Sequence, residues 1–129
     1  MKRTLFACLI AVGLSSAALA DGGDAKAGKK LFKRCSACHV YDKDKNKVGP
    51  HLVDIVGRKF GAAEKFKYSK ALLKMAEEGL VWDKDNLDKY LTKPKDFIKR
   101  GKMIFRGLKR KKDRDNLIAF LEAEAKKAD

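Results

Sequence analysis

Apolar residues recur at helical spacing in four parts of this 129-residue chain. Gly28, Leu31, Phe32 and Cys35 share one face of a helix expected over 24–35, with Asp24 as its N-cap. A second helix is expected over 69–78, stopped by Gly79. A third starts after Trp82 with Asp83 as cap, carries Leu87, Tyr90 and Leu91, and ends before Pro94. The last is expected over 113–127, its faces marked by Leu117, Phe120, Leu121 and Glu124. Between 40 and 68 the chain carries Gly49-Pro50, Gly57 and Gly61 without a sustained period, which reads as loop. No strand pair, internal repeat or low-complexity linker stands out. The pattern is that of a small all-α domain.

The first twenty positions have a different character. Lys2 and Arg3 precede an apolar stretch over 4–14, and Ala18-Leu19-Ala20 fits a small-residue cleavage site. The expectation is a secretory signal over 1–20 and one domain over 21–129. The apolar stretch is shorter than a bilayer span, which argues against an uncleaved anchor, and no spanning segment follows it. Cys8 has too little hydrophobic sequence before it for a lipoprotein signal. In a bacterium with two membranes this reads as export to the periplasm.

Charge narrows the partners. The formal net charge is +14, a balance that usually suggests nucleic acid. Export argues against that, and so does the dominance of Lys, a strongly hydrated point charge unsuited to bidentate phosphate or base recognition. A diffuse lysine surface suits fast, salt-sensitive encounter with acidic protein faces. A domain this size buries a modest fraction of its surface, so a bound apolar group would complete its core.

Chemistry concentrates in Cys35-Ser36-Ala37-Cys38-His39. Two thiols three positions apart, with a histidine directly after the second, form the attachment signature of a c-type haem. Each thiol adds across one porphyrin vinyl group, and the adjacent imidazole reaches the iron as an axial ligand. A zinc site on Cys35, Cys38 and His39 lacks a fourth ligand at finger spacing. A thioredoxin-like pair would need alternating strands and helices around it. For the second axial position the candidates are Met75, Met103, His51 and the lysines. Met75 shares a helical face with Leu72 and Ala76 and reads as core filler. His51 follows Pro50 in a loop and is expected near solvent. Met103 lies in an irregular stretch between helices, where it reads equally as packing or as ligand.

From Gly28 to about Lys126 the chain resembles the class I cytochromes c, specifically the mitochondrial-like cytochromes of bacteria (the cytochrome c2 type). The resemblance rests on Gly28-Lys29-Lys30-Leu31-Phe32, the attachment site, Gly49-Pro50, Gly57-Arg58, Tyr68, Trp82, Tyr90-Leu91, Pro94-Lys95, Lys102-Met103-Ile104-Phe105 and the run from Asp115 to Leu121. It implies about four helices wrapped around one covalent haem c, with His39 and Met103 as the metal ligands. It further implies that the Pro50 carbonyl accepts the His39 ring N–H, and that Arg58, Tyr68 and Trp82 bond the haem propionates. Gly28 and Phe32 would cross the last helix near Leu117 and Phe120. Tyr90 would lie near the methionine sulfur, and Phe105 beside the exposed haem edge.

The function so implied is a monomeric, soluble periplasmic one-electron carrier rather than an enzyme. Its donor would be a cytochrome bc complex, and its acceptor a terminal oxidase, a peroxidase or a photosynthetic reaction centre. Those acidic partners would dock on Lys29, Lys47, Lys95, Lys102 and Lys109, with Arg34 beside the attachment site. One departure from the family pattern is Lys99-Arg100-Gly101, where a proline and a threonine are usual. The Met103 loop is therefore expected to be more mobile, with Lys95, Lys99 or Lys102 able to displace Met103 at alkaline pH. The alternative function is a haem enzyme or gas-binding sensor with an open sixth position; no distal histidine and arginine pair stands out to serve it.

Overall fold

A computed structural model describes residues 22–127. The expected signal over 1–20 and its Cys8 lie outside the described residues. Five helices appear among those described: α1 Ala25–Phe32, α2 Lys70–Glu77, α3 Lys84–Thr92, α4 Pro94–Phe97 and α5 Lys111–Lys127. The all-α expectation holds, with one isolated antiparallel bridge between Lys59 and Val81. No described helix is long and apolar enough to cross a membrane.

The caps explain where α1, α2 and α3 begin. Asp24 accepts the N–H of Lys26 at 2.9 Å, Ser69 accepts that of Leu72 at 3.1 Å, and Asp83 accepts that of Asn86 at 2.7 Å. Gly79 follows α2 at φ +81°, a conformation that glycine adopts without steric penalty. At eight residues, α1 is too short to persist alone, so its packing on α5 sustains it. Gly28 makes that packing close: a Cβ there would overlap the backbone carbonyl of Asn116. The Asn116 side-chain oxygen in turn accepts the Asp24 N–H at 2.7 Å. Phe32 and Phe120 meet at 5.7 Å, and Tyr41 stands edge-on to them at 5.0 and 4.9 Å. Pairs of this kind add about 0.5–1.5 kcal/mol beyond the area they bury.

Three boundaries differ from expectation. The first helix ends at Phe32 rather than Cys35, and tight turns carry the chain onward, with Cys35 N–H donating to Phe32 O at 2.7 Å. The last helix starts two residues early, placing Asp113 in its first turn, where it accepts from Arg110 at 2.8 and 3.0 Å. Helix α4 was not foreseen, because four residues cannot display a period. Pro94 opens it at N1 and forces Lys93 into an extended conformation (φ −159°), which separates it from α3.

The long loop over 40–68 is held by the rest of the molecule. Gly57 N–H donates to Trp82 O and Trp82 N–H to Arg58 O, both at 2.7 Å, and Phe60 N–H donates to Leu80 O at 3.0 Å. These bonds lay Phe60 flat on Trp82 with ring centroids 3.8 Å apart, both side chains buried. The loop thus brings Arg58 beside Trp82. That closes one wall of the site.

Candidate functional site

The turn after α1 gathers the three residues of the attachment signature. Cys38 N–H donates to Cys35 O at 3.1 Å and His39 N–H to the same oxygen at 2.9 Å, so one turn presents both thiols and the imidazole. The thiols are unpaired and partly buried. Burial pushes the Cys35 thiol's pKa up, while the Arg34 charge beside it pulls the other way. Among the described residues, no three His, Cys, Asp or Glu side chains converge on a common metal position.

His39 is oriented by its neighbours. Its Nδ1 lies 2.7 Å from the Pro50 carbonyl oxygen. A carbonyl only accepts, so Nδ1 carries the proton and Nε2 keeps a lone pair free for a metal. Burial lowers the ring's pKa, the Pro50 bond opposes this, and the Arg58 charge adds to the lowering. A neutral imidazole, which a ligand must be, is therefore favoured. Gly49 leaves room for the ring: a Cβ at that position would overlap its Cε1 atom. Only glycine fits beside this histidine.

Arg58 is buried more than an arginine of a surface loop would be. Nη2 donates to His51 O at 2.9 Å, and Nη1 to Val53 O at 3.0 Å. Burial pulls its pKa down, opposed by Tyr68, Asp54 and Asp44. Its Nε is fully buried without a hydrogen-bond partner. Such an orphan costs about 1–3 kcal/mol unless something accepts from it, and a carboxylate is the natural acceptor. Tyr68 sits within charge range of Arg58, its hydroxyl accepting the Ala63 N–H at 3.0 Å. Trp82 is 6% exposed, between Phe60 and Tyr90.

The expectation that His51 lies near solvent is overturned. It is 9% exposed, because Asn46 accepts its backbone N–H at 3.0 Å and Asp44 meets its Nε2 at 2.9 Å. Nothing in the sequence marked Asp44 or Asn46 for this, since the contacts are tertiary. Phe60, stacked on Trp82, also escaped notice, because loop aromatics carry no period.

Tyr90 connects Met103 to the tryptophan. The Tyr90 hydroxyl donates to its sulfur at 3.7 Å, and Tyr90 lies 4.9 Å from the Trp82 ring. Burial holds the Tyr90 phenol protonated, its pKa pushed up to about 12. The stretch before Met103 includes Arg100 at φ +62°. Lys95 Nζ donates to Gly101 O at 2.8 Å, and Lys102 Nζ donates to Lys67 O at 2.6 Å. Met75 packs half-buried against the core, as expected of a filler. His39, Arg58, Trp82, Tyr90 and Met103 thus bound one region of the protein. A free donor, a soft thioether, an imidazole lone pair and two thiols suit a flat apolar group that carries carboxylates and a metal.

The outer surface beside this region is basic. Lys29, Arg34, Lys47, Lys95, Lys102 and Lys109 are all exposed. The Arg34 guanidinium lies 5.3 Å from the Phe105 ring centroid, and Ile104 between Met103 and Phe105 is 94% exposed.

Comparison with known proteins places these residues in context. The family model for cytochrome c matches residues 25–124. Cytochrome c type-1 of Ascaris suum is 46% identical over 106 residues, covering 81% of this chain and 92% of the relative. Cytochrome c2 of Afifella marina is 43% identical over 97 residues, covering 74% and 78%. The solved structure of cytochrome cH from Methylobacterium extorquens superposes with a TM-score of 0.72 at 42% identity, covering 78% of this chain and 99% of the other.

Proposed function

Given that this chain belongs to the cytochrome c family, whose members are electron carriers with covalently bound haem c, we propose that it is a soluble periplasmic shuttle with His39 and Met103 as its axial ligands. The observation that carries this reading is the His39 ring. With Nδ1–H fixed on the Pro50 carbonyl, Nε2 has only one use left, and the two thiols flank it in the same turn.

When bound, the haem supplies an iron that takes up and gives back one electron. Each protein group then has one task. Cys35 and Cys38 anchor the group so that its orientation is single. The hydrogen bond to Pro50 raises the basicity of the imidazole and holds its plane. Tyr90 steers the Met103 thioether, a soft donor that favours the reduced metal and raises the potential. Arg58, aided by Tyr68 and Trp82, receives the propionates, which would otherwise be carboxylates buried without partners. Held by both His39 and Met103, the metal would have no place left for small ligands.

The docking partners are acidic faces of a membrane cytochrome bc complex on one side, and of an oxidase, a peroxidase or a reaction centre on the other. The exposed lysines and Arg34 around Phe105 and Ile104 support that assignment. Residues 21–129 form the domain, with 1–20 removed on export.

The test is the absorption spectrum of the matured protein. The ferric form should show the weak sulfur-to-iron charge-transfer band, which Met103→Ala should abolish while lowering the potential. A wild type without that band, whose reduced form takes up carbon monoxide readily, would replace the shuttle with the open-site enzyme or sensor.

A further inference from the structure

Among the described residues, Arg58 is a half-buried cation beside the site whose Nε is buried without a partner, and residues of its own loop hold it. Two of its bonds go to backbone oxygens of His51 and Val53, at 2.9 and 3.0 Å. The third contact is to a side chain: Arg58 Nη1 lies 3.3 Å from His51 Nδ1. Val53 N–H donates to the same nitrogen at 3.3 Å. Two donors therefore face Nδ1, which must carry the lone pair. The proton is then on Nε2, where the Asp44 carboxylate accepts it at 2.9 Å. Asn46 completes the clamp by accepting the His51 N–H at 3.0 Å, and Asn46 itself is anchored by donating to Glu64 O at 2.8 Å.

We propose that His51 is a positioning residue for the haem propionate. Its ring, fixed at one edge by Asp44, turns its other edge to Arg58 and so aims the Arg58 Nε–H inward. The geometry assigns each donor of the guanidinium a direction. Nη1 spends both of its N–H groups and Nη2 spends one on the 51–53 turn, which leaves the Nε–H and the second Nη2 N–H for a carboxylate. The planar fork of arginine makes this decisive, because fixing two nitrogens fixes the third. Without an acceptor at this place, Nη1 keeps only its bond to Val53 O and one of its N–H groups is left unpaired, so the guanidinium is held less firmly against turning toward water. The inference rests on the reading that Arg58 meets a propionate, and goes beyond it by naming what holds Arg58 there.

The experiment uses the matured holoprotein and compares wild type, His51→Leu, His51→Asn and Arg58→Leu. Leucine fills the space without an acceptor. Asparagine keeps an oxygen near the place of Nδ1. Both variants lack the imidazole's titration, so the difference between them isolates the acceptor. Loss of an aimed cation beside the haem stabilises the ferric state, so Arg58→Leu should lower the potential. His51→Leu should shift the oxidised-to-reduced ratio at fixed poise in the same direction by about threefold, equivalent to about 28 mV for a one-electron couple. His51→Asn should stay within about a third of that shift. Guanidinium unfolding runs alongside, because a merely structural histidine would lower stability in both variants without separating their potentials. That result would overturn the proposal. A silent Arg58→Leu would remove the propionate reading itself, and the proposal with it. Nitrogen-15 NMR of the wild type needs no variant to fold: the Nε2–H tautomer of His51 and a slowly exchanging Arg58 Nε–H are expected. An Nδ1–H tautomer would refute the assignment.

Discussion

Replacing Gly49 with alanine puts a methyl group where the His39 ring already lies. The new Cβ would stand 2.8 Å from Nδ1 and 2.9 Å from Nε2, and closer still to Cε1. Ordinary contact begins near 3.4 Å, so the ring must retreat by about 0.6 Å even at Nδ1. Taken along the hydrogen bond, that retreat stretches the 2.7 Å link to Pro50 to about 3.3 Å, turning a short bond into a long, weak one. Gly49 cannot yield instead. Its N–H donates to Cys38 O and its carbonyl accepts from Lys47 N–H, both at 2.9 Å, pinning the backbone at either side. Overpacking of this sort costs about 1–3 kcal/mol, and the weakened bond adds about 1 kcal/mol. The expected loss is about 2–4 kcal/mol in guanidinium unfolding of the holoprotein, with an unchanged m-value. A weaker bond at Nδ1 also makes the imidazole a poorer donor, so the potential should rise. A loss below about 0.5 kcal/mol, with the potential unmoved, would mean that the ring is not confined as described.

Other perturbations test other parts of the molecule. Arg114→Ala should cost about 3 kcal/mol in the same assay, since the 8% exposed guanidinium serves Leu108 O at 2.8 Å, Lys109 O at 2.9 Å and the partly solvated Asp88 carboxylate at 2.7 Å. The Glu122 carboxyl should titrate below the usual carboxylate range because Lys84 bonds it at 2.8 Å, and should return upward in Lys84→Ala by carbon NMR. Its contribution to stability has the matching sign: present above the ordinary glutamate pKa and lost as pH falls through the depressed one. Changing Lys29 and Lys102 to glutamine should slow electron transfer to an acidic partner severalfold at low ionic strength and little at high salt, read by stopped flow. Equal slowing at both salts would count against a charged docking face.

Much of this fold was legible because local chemistry agreed with global packing. Asp24 and Asp83 announced two helix starts and each forms its cap, and the helix expected from position 69 proves to be capped by Ser69. The spacing of Gly28 and Phe32 announced the face that meets α5. The attachment turn could be read because its function is written in adjacent residues, whereas the bond from His39 to Pro50 was implied only by the resemblance. Contacts between distant loop residues were not legible. His51 looked like an exposed loop histidine, and only Asp44, Asn46 and Arg58, brought round it by the fold, make it buried. Arg114 and Asn116 carry no apolar period, yet both are buried, each satisfying backbone groups of other segments. Period detects apolar faces and is blind to polar groups buried for their hydrogen bonds.

The bond from Asp24 to Asn116 joins positions 92 apart in sequence. That single latch sets an order of events. A chain made from its N-terminus delivers α1 and both thiols long before α5 arrives. Closing so long a loop is entropically unfavourable until Leu117, Phe120 and Leu121 are there to reward it. For that interval the Cys35 and Cys38 thiols sit on an open chain, accessible from every side, and the same fold that later encloses the haem cannot yet obstruct its attachment.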